Sequence, residues 1–273
     1  MLSIAQDILE PRSNHLAARV PSPAPAWQHG RVANAGWTDA NSEMFVRLGD
    51  VFVPDRDTQL DAICALVPES PNLIVELSCG EGLLAERLLE RFSASRLIAL
   101  DASPAMVTRA AARLAPFRNR QEVRTFEIAD GAWRSEWSGV CDAVVSSLAV
   151  HHLDDPGKRR LYGDVLRMLR PGGALVIADL IQPASRAAGR LAAAEWDRAV
   201  RERSLARSGD LSAHDAFVSS GWNSFEPGND DLTDMMSPLA HHLRWLEAAG
   251  YEGVDAVWVK AGHAVYAGWR PTG

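Results

Sequence analysis

The sequence predicts an α/β protein: a doubly wound, mostly parallel seven-stranded sheet with an antiparallel last strand, plus a helical cover over its active site. Three observations carry this reading. From Asn72 to Leu180, short apolar runs alternate with segments of helical periodicity, as in parallel strands joined by crossover helices. Most of those runs are bounded by glycine, proline or a helix-capping residue. The chain then closes on two more strand-like runs, VDAVWVK and HAVYAGW, separated only by Ala261-Gly262, and so short a link makes them antiparallel.

Taken in order, residues 1–26 read as disordered or loosely packed, because PSPAPA (Pro21 to Ala26) is a stiff extended linker. Residues 27–70 supply the N-terminal helices of the cover, NSEMFVRLGDVF and PDRDTQLDAICALVP. In the second, Leu60, Ile63, Cys64 and Val67 share one face. Residues 71–180 form the core. LIVEL (73–77) is a short buried strand, followed by a glycine-containing turn and the helix GLLAERLLERF. RLIAL (96–100) is the second strand, after which Ser103 and Pro104 supply an N-cap and a first-turn proline. EVRTFEI (122–128) and DAVVSSLAV (142–150) are the third and fourth strands. Asp155-Pro156 opens a helix that stops at Arg170, before Pro171-Gly172-Gly173, and ALVIADL (174–180) is the fifth strand. The alternation breaks at Pro183. Residues 181–236 are a helical and loop insertion forming a substrate cover, helical over 184–207 and loop over 208–236. Residues 237–273 return to the core as a last helix, PLAHHLRWLEAAG, and the terminal strand pair.

Composition narrows the function classes. At 273 residues, 47% hydrophobic and 23% charged, the chain has ordinary globular usage. A net charge of −7 argues against a nucleic-acid partner, which calls for a basic face. Cys64, Cys79 and Cys141 are odd in number and show no metal-ligand spacing, the usage of a reducing compartment, and no metal is expected. No apolar run is long enough to span a bilayer, and the first residues lack a secretory layout. A cytoplasmic monomer or homodimer, with no membrane partner, is the expectation.

The most informative segment is Leu73-Ile-Val-Glu-Leu-Ser-Cys-Gly-Glu-Gly82, a strand running into a tight turn and then a helix. Glycines at 80 and 82 let the backbone approach a ligand closely, because a Cβ would collide with it. Asp101 ends the second strand, where an acid can hold both hydroxyls of a ribose. Alone, Gly80-x-Gly82-x-x-Ala85 with Asp101 also fits a dinucleotide fingerprint. Three features favour a nucleoside without a pyrophosphate. Glu76 would repel a diphosphate but suits an ammonium group, Asp130 can accept from an adenine amine, and the terminal antiparallel pair does not end a dinucleotide-binding half.

With these motifs in order, the chain resembles the class I S-adenosylmethionine (SAM)-dependent methyltransferases of the small-molecule type over about residues 40–270. The motifs are Val75 to Gly82, Leu100 to Met106, Ile128-Ala-Asp-Gly131, Asp142 to Leu153, and Leu169-Arg-Pro-Gly-Gly173. The resemblance implies a Rossmann-like, SAM-binding core, with S-adenosylhomocysteine (SAH) as product and no metal. It places the methionine portion at Glu76, Ser78, Cys79 and Gly80, and ribose on Asp101. Adenine falls between Ala102 and Met106 with Asp130 at its amine, and the sulfonium near Ser146 and Ser147; Gly82 and Gly131 complete the set. The family usually has glycine where this chain has Ser78, and the added hydroxymethyl group bears on how the ligand is held.

Methyl transfer from a sulfonium is an in-line displacement, served mainly by positioning. A base is needed only where the nucleophile carries a proton that must leave. His151 is the candidate base, with His241 as runner-up; a packing or solvent-facing role is the plainer reading of each. His152, Asp179, Trp196, Trp222 and Met236 are candidates for lining a pocket for a small organic acceptor, although aromatics and methionines are more often plain core. Two alternatives stay open: an NAD(P)-dependent oxidoreductase, and a SAM-binding protein without transferase activity.

Overall fold

One sheet organises the chain. Its strands are β1 (Leu73–Leu77), β2 (Arg96–Asp101), β3 (Gln121–Thr125), β4 (Cys141–Ser147), β5 (Leu169–Leu180), β6 (Glu252–Lys260) and β7 (His263–Trp269), in the order β3-β2-β1-β4-β5-β7-β6. Strands β1 to β5 pair in parallel, and β7 runs antiparallel between β5 and β6. The fold is therefore the expected mostly parallel seven-stranded sheet with an antiparallel last strand. The computed structural model describes residues 39–273 except 129, 131 and 230–233, so the expected loose segment 1–26 lies outside the described residues.

Helices cover both faces of the sheet, which is why its central strands are apolar throughout rather than alternating. On one face, Ile74, Leu97, Ala99, Ala143, Val145 and Val176 share a core with residues of α2 (Arg56–Leu66), α3 (Leu83–Arg91) and α4 (Pro104–Arg113). The alternate residues Val75, Ile98, Leu100, Val144, Leu175 and Ile177 pack on the other, with α5 (Asp155–Met168) and α8 (Leu239–Ala249). The strand order reverses between β1 and β4, and that switch point opens a crevice at the carboxyl ends of the strands.

A third core belongs to α1 (Asp39–Phe52), α6 (Arg186–Ser208) and α7 (Ser212–Ser219), built on Val51, Phe52, Trp196, Val200, Ala213 and Phe217. Ala192, Ala193, Trp196, Ala199 and Val200 recur at helical spacing and form the buried stripe of α6. The Trp196 Nε1–H donates to the Phe52 carbonyl at 2.6 Å, tying the insertion to the N-terminal helix.

Three local expectations are corrected. Residues 208–236 are not all loop, because α7 forms there; eight residues are too few for a clear periodic signal, and its helical state rests on packing Ala213 and Phe217. β5 begins at Leu169 and contains Pro171-Gly172-Gly173 rather than following it. The irregularity is absorbed by a register shift against β4 between Cys141 and Ala143. β4 ends at Ser147, because Leu148 takes a left-handed φ of 59° and Val150–His152 form a 3-10 turn. That break turns His151 and His152 out of the strand direction.

Candidate active site

A cavity of about 820 Å³ lies over the carboxyl ends of β1, β2 and β4 and is lined also by residues of α1, α2 and the 181–236 insertion. At the end of β1, the turn is held by backbone bonds: the Cys79 N–H donates to the Leu100 carbonyl and the Gly82 N–H to the Cys79 carbonyl, both at 2.9 Å. Gly80 (φ 54°) lines the cavity, and a Cβ built on it would meet nothing within 4 Å, so the space above it is open to a ligand. Gly82 (φ 85°) does a different job. A Cβ there would stand 3.3 Å from Ala110, so it lets α4 pack against the turn. Ser78 has φ 55°, in the left-handed region where a side chain is disfavoured by roughly 1–2 kcal/mol. The serine thus sits where glycine would be at ease.

Glu76 is 2% exposed and lines the cavity, and its Oε2 has no hydrogen-bond partner among the described residues. Burial pushes its pKa up to about 8, against the opposing positive charge of Arg56. Arg56, from the first turn of α2, is itself buried, and its NH1 donates to the Ser147 Oγ at 2.6 Å. Burial draws its pKa down to about 10, with Glu76 pulling the other way. A buried carboxylate with a free oxygen and a buried guanidinium thus face one chamber, a pair suited to the ammonium and carboxylate of an amino acid. Sequence reasoning missed Arg56. Its signal was present: the apolar stripe Leu60, Ile63, Cys64, Val67 extends back one turn onto position 56.

Asp101 lines the cavity, and each of its oxygens already accepts a backbone amide: Oδ2 from Gly80 at 2.8 Å and Oδ1 from Ser103 at 2.9 Å. It therefore braces the glycine turn while keeping lone pairs for a ligand; burial raises its pKa and the amides oppose that. Ala102, Met106, Cys79 and Ser147 also line the cavity. Burial pushes the Cys79 thiol far up, which suits packing and not nucleophilic use. Ser146 does not line it; its hydroxyl donates to the Leu77 carbonyl at 3.0 Å. Asp130 is exposed and off the lining, while Glu127 and Ile128 of the same loop are on it; Gly131 lies outside the described residues.

The opposite end of the cavity carries the histidines. His151 is 4% exposed. Its backbone N–H donates to Asp179 Oδ2 at 2.9 Å, its Nδ1 lies 2.5 Å from Asp179 Oδ1, and its Nε2 is 3.4 Å from Asp234 Oδ1. Burial lowers the His151 pKa, but the charge and hydrogen bond of Asp179, with Asp234 beyond, outweigh it and hold the imidazole above its ordinary value. For Asp179 burial acts upward, and the His151 contact outweighs it and holds the carboxyl below its ordinary range. His152 Nδ1 is 3.7 Å from the same Asp234 oxygen. Asp179 is fully buried behind His151 and does not line the cavity; Asp234, which sequence reasoning did not single out, does.

Trp196 and Trp222 line the cavity, and Met236 packs against the same aromatic cluster without reaching it. His241 is not brought to the site: it stands on α8 with its ring 5.5 Å from Trp245. Its neighbour His242 turns into the core, its Nδ1 2.5 Å from the Tyr162 hydroxyl and 3.0 Å from that of Tyr266, and burial lowers its pKa to about 4.

Comparison with known proteins finds methyltransferases. Residues 74–173 match the family model described as a methyltransferase domain. The chain is 36% identical over 111 residues to the malonyl-[acyl-carrier protein] O-methyltransferase of Hahella chejuensis, covering 41% of this chain and 37% of that one. It is 29% identical over 225 residues to a trans-aconitate 2-methyltransferase of Methylobacterium radiotolerans, covering 78% of this chain and 80% of that one. The chain thus spans well under half the length of the first relative and most of the second. Among solved structures, an O-methyltransferase family protein from Burkholderia thailandensis shares the fold, with a TM-score of 0.59 at 18% identity over 86% of this chain and 60% of that one. Residues 74–173 are thus similar to a methyltransferase domain, and the relatives that the chain resembles over longer stretches are methyltransferases. Among the described residues no helix is long and apolar enough to cross a membrane.

Proposed function

We propose that the chain transfers the methyl group of SAM to a small organic acceptor by in-line displacement. The observation that carries this is the Glu76 oxygen that has no hydrogen-bond partner among the described residues, beside Arg56 and under a glycine turn open to the cavity. When bound, SAM supplies an electrophilic methyl carbon on a sulfonium. Glu76 then holds the ammonium of its methionine portion, Arg56 the carboxylate, and Asp101 the ribose hydroxyls. Ala102 and Met106 flank the base, and Ser147 stands at the end of β4 where the methyl carbon is expected.

A volume of about 820 Å³ falls in the upper part of the range for small-molecule sites, roughly 300–1,000 Å³. It has room for a nucleoside and a small acceptor together. The helices α1 and α2 and the described residues of the 181–236 insertion form the cover that excludes water and shapes the acceptor's place, against Trp196, Trp222 and His152. Where the attacking atom carries a proton, that proton is handled at Nε2 of His151, with Asp179 fixing the ring. The acceptors named for the two relatives, malonyl-[acyl-carrier protein] and trans-aconitate, favour an organic acceptor over a nucleic acid, as does the acidic net charge.

Calorimetry with SAH tests the cofactor half of this reading. Wild type is expected to bind one equivalent and Asp101→Ala to lose roughly 10-fold or more, since hydrogen bonds to a charged group contribute about 1.5–3 kcal/mol each. Full affinity in a folded Asp101→Ala protein would remove Asp101 from the ribose, and titration with NADH instead of SAH separates an oxidoreductase from a methyltransferase.

A further inference from the structure

We propose that His151, His152 and Asp234 form a binding site for one first-row divalent transition cation at the acceptor end of the cavity. This deepens the methyltransferase reading by placing a cation, rather than a proton alone, at Nε2 of His151. Three atoms converge there. Asp234 Oδ1 is 3.4 Å from His151 Nε2 and 3.7 Å from His152 Nδ1, and one ligand atom from each residue lies within 4.8 Å of the others. Nitrogen and oxygen ligands held at about 2.0–2.2 Å by a tetrahedral ion stand roughly 3.3–3.6 Å apart. The His151–Asp234 separation of 3.4 Å falls within that span, the His152–Asp234 separation of 3.7 Å lies just beyond it, and the third pair closes within 4.8 Å.

The surroundings also suit an ion. His151 presents Nε2 because its Nδ1 is engaged by Asp179, the carboxylate–histidine arrangement that orients metal-ligating imidazoles and raises their basicity. Asp234 is likewise fixed, its Oδ2 accepting from the Ser224 hydroxyl at 2.7 Å. Two buried carboxylates, Asp179 and Asp234, meet here. The nearby Lys158 ammonium is directed elsewhere, to the Met235 carbonyl and the Ser237 hydroxyl. A dication balances that buried negative charge more fully than one imidazolium does. All three ligands line the cavity, so three protein ligands leave coordination positions open toward it, the plan of catalytic rather than structural metal sites. Two imidazoles and one carboxylate select zinc, iron, manganese or cobalt over calcium or magnesium. Such an ion would draw an acceptor through an oxygen and increase the acidity of its hydroxyl.

The test uses the full-length protein, stripped with EDTA and dialysed. Cobalt(II) is titrated with visible absorbance as the readout and zinc(II) by calorimetry, and SAH binding serves as an independent check of the fold. One equivalent of each ion is expected to bind, with cobalt d–d bands intense enough for nitrogen ligation in a low-coordination site. His152→Ala and Asp234→Asn should each lower zinc affinity at least 10-fold while SAH still binds, and Asp179→Asn should lower it by about 10–100-fold. Absence of cobalt bands and of zinc heat in the wild type overturns the proposal, as does equal binding in the wild type and both ligand variants. In either case SAH binding still stands for the cofactor reading. Cation binding lost in the variants, together with no SAH binding to the wild type, upholds the cation site and overturns the methyltransferase reading instead.

Discussion

The two ends of the cavity are built by different means. At the β1 end, ligand-facing groups hang on backbone geometry: the Gly80 turn, the Cys79 and Gly82 amide bonds, and Asp101 pinned by two amides. At the β4 end, they are side chains gathered from distant positions, with Asp179 and Asp234 closing on His151 from the fifth strand and from the insertion. Removing one side chain from the first end leaves the Cys79 and Gly82 backbone bonds in place. Removing one from the second removes the arrangement itself. The first end is suited to holding an unvarying cofactor, and the second to an acceptor that the insertion can reshape.

The largest expected effect lies at the side-chain end. With an acceptor in hand, His151→Ala is expected to lower turnover by roughly 10²–10⁴, if removal of the acceptor proton is part of the slow step. SAH affinity should change by less than threefold. Steady-state rates and calorimetry on the same preparation decide it. A variant that loses both together would erase the division between the two ends.

Glu76→Gln is the matching change at the cofactor end. It removes the charge proposed to meet the ammonium, and SAH affinity should fall by roughly 10–100-fold, the scale of a charge-assisted hydrogen bond. The same variant carries a stability prediction of opposite sign. Glu76 has a folded pKa of about 8 against an ordinary value near 4.5, so the folded chain keeps a proton that the unfolded chain has released. With respect to this group, stability of the wild type is therefore at its full value below about pH 4.5, falls as pH rises between about 4.5 and 8, and levels off above. The stability difference between Glu76→Gln and wild type should move in favour of the variant across that window and then level off. Denaturant unfolding at several pH values reads it, and a flat difference would show Glu76 ionised in the free protein.

A smaller effect follows from the same carboxyl. An ammonium prefers the ionised form, so SAH binding near pH 7 should release close to one proton from the wild type and none from Glu76→Gln. Calorimetry in two buffers of different ionisation enthalpy measures this. No buffer dependence in the wild type would break the pairing of Glu76 with the ligand's amine.

The comparison also explains what was legible in the sequence. The β1 end is local: a strand, two glycines and a helix are contiguous, and the acid closing the next strand is recognisable by position alone. Glu76, Gly80, Asp101 and Met106 accordingly come together along the cavity. The β4 end depends on contacts across long loops. Asp234 is 83 residues beyond His151 in a loop with no periodicity, so nothing nearby distinguishes it from a solvated acid. His241 and His242 show the converse, since which of two adjacent histidines faces the core is set by how α8 rotates against Tyr162 and Tyr266. Arg56 lies between these cases, legible as a charge on an apolar stripe once that stripe is followed one turn further. The antiparallel terminal pair was readable because a two-residue link admits no other arrangement.

The smallest effect is at Ser78, the one strained residue in the backbone-built end, where φ is 55°. A serine there bears a penalty that glycine does not. Glycine in turn makes the unfolded chain more flexible, which offsets roughly 0.4–1 kcal/mol of the relief. Ser78→Gly is therefore expected to gain no more than about 1 kcal/mol, or a rise of roughly 2–4 °C in Tm for a chain of this size. The functional outcome separates two uses of the serine. If the hydroxyl is only accommodated beside the ligand, SAH affinity stays within about threefold, since the turn is held by the Cys79, Gly80 and Gly82 amides and not by Ser78. A 10-fold loss of affinity in a stabilised variant would mean that the hydroxyl bonds the ligand. The left-handed strain would then be retained for binding, and the β1 end would depend on a side chain in the same way as the β4 end.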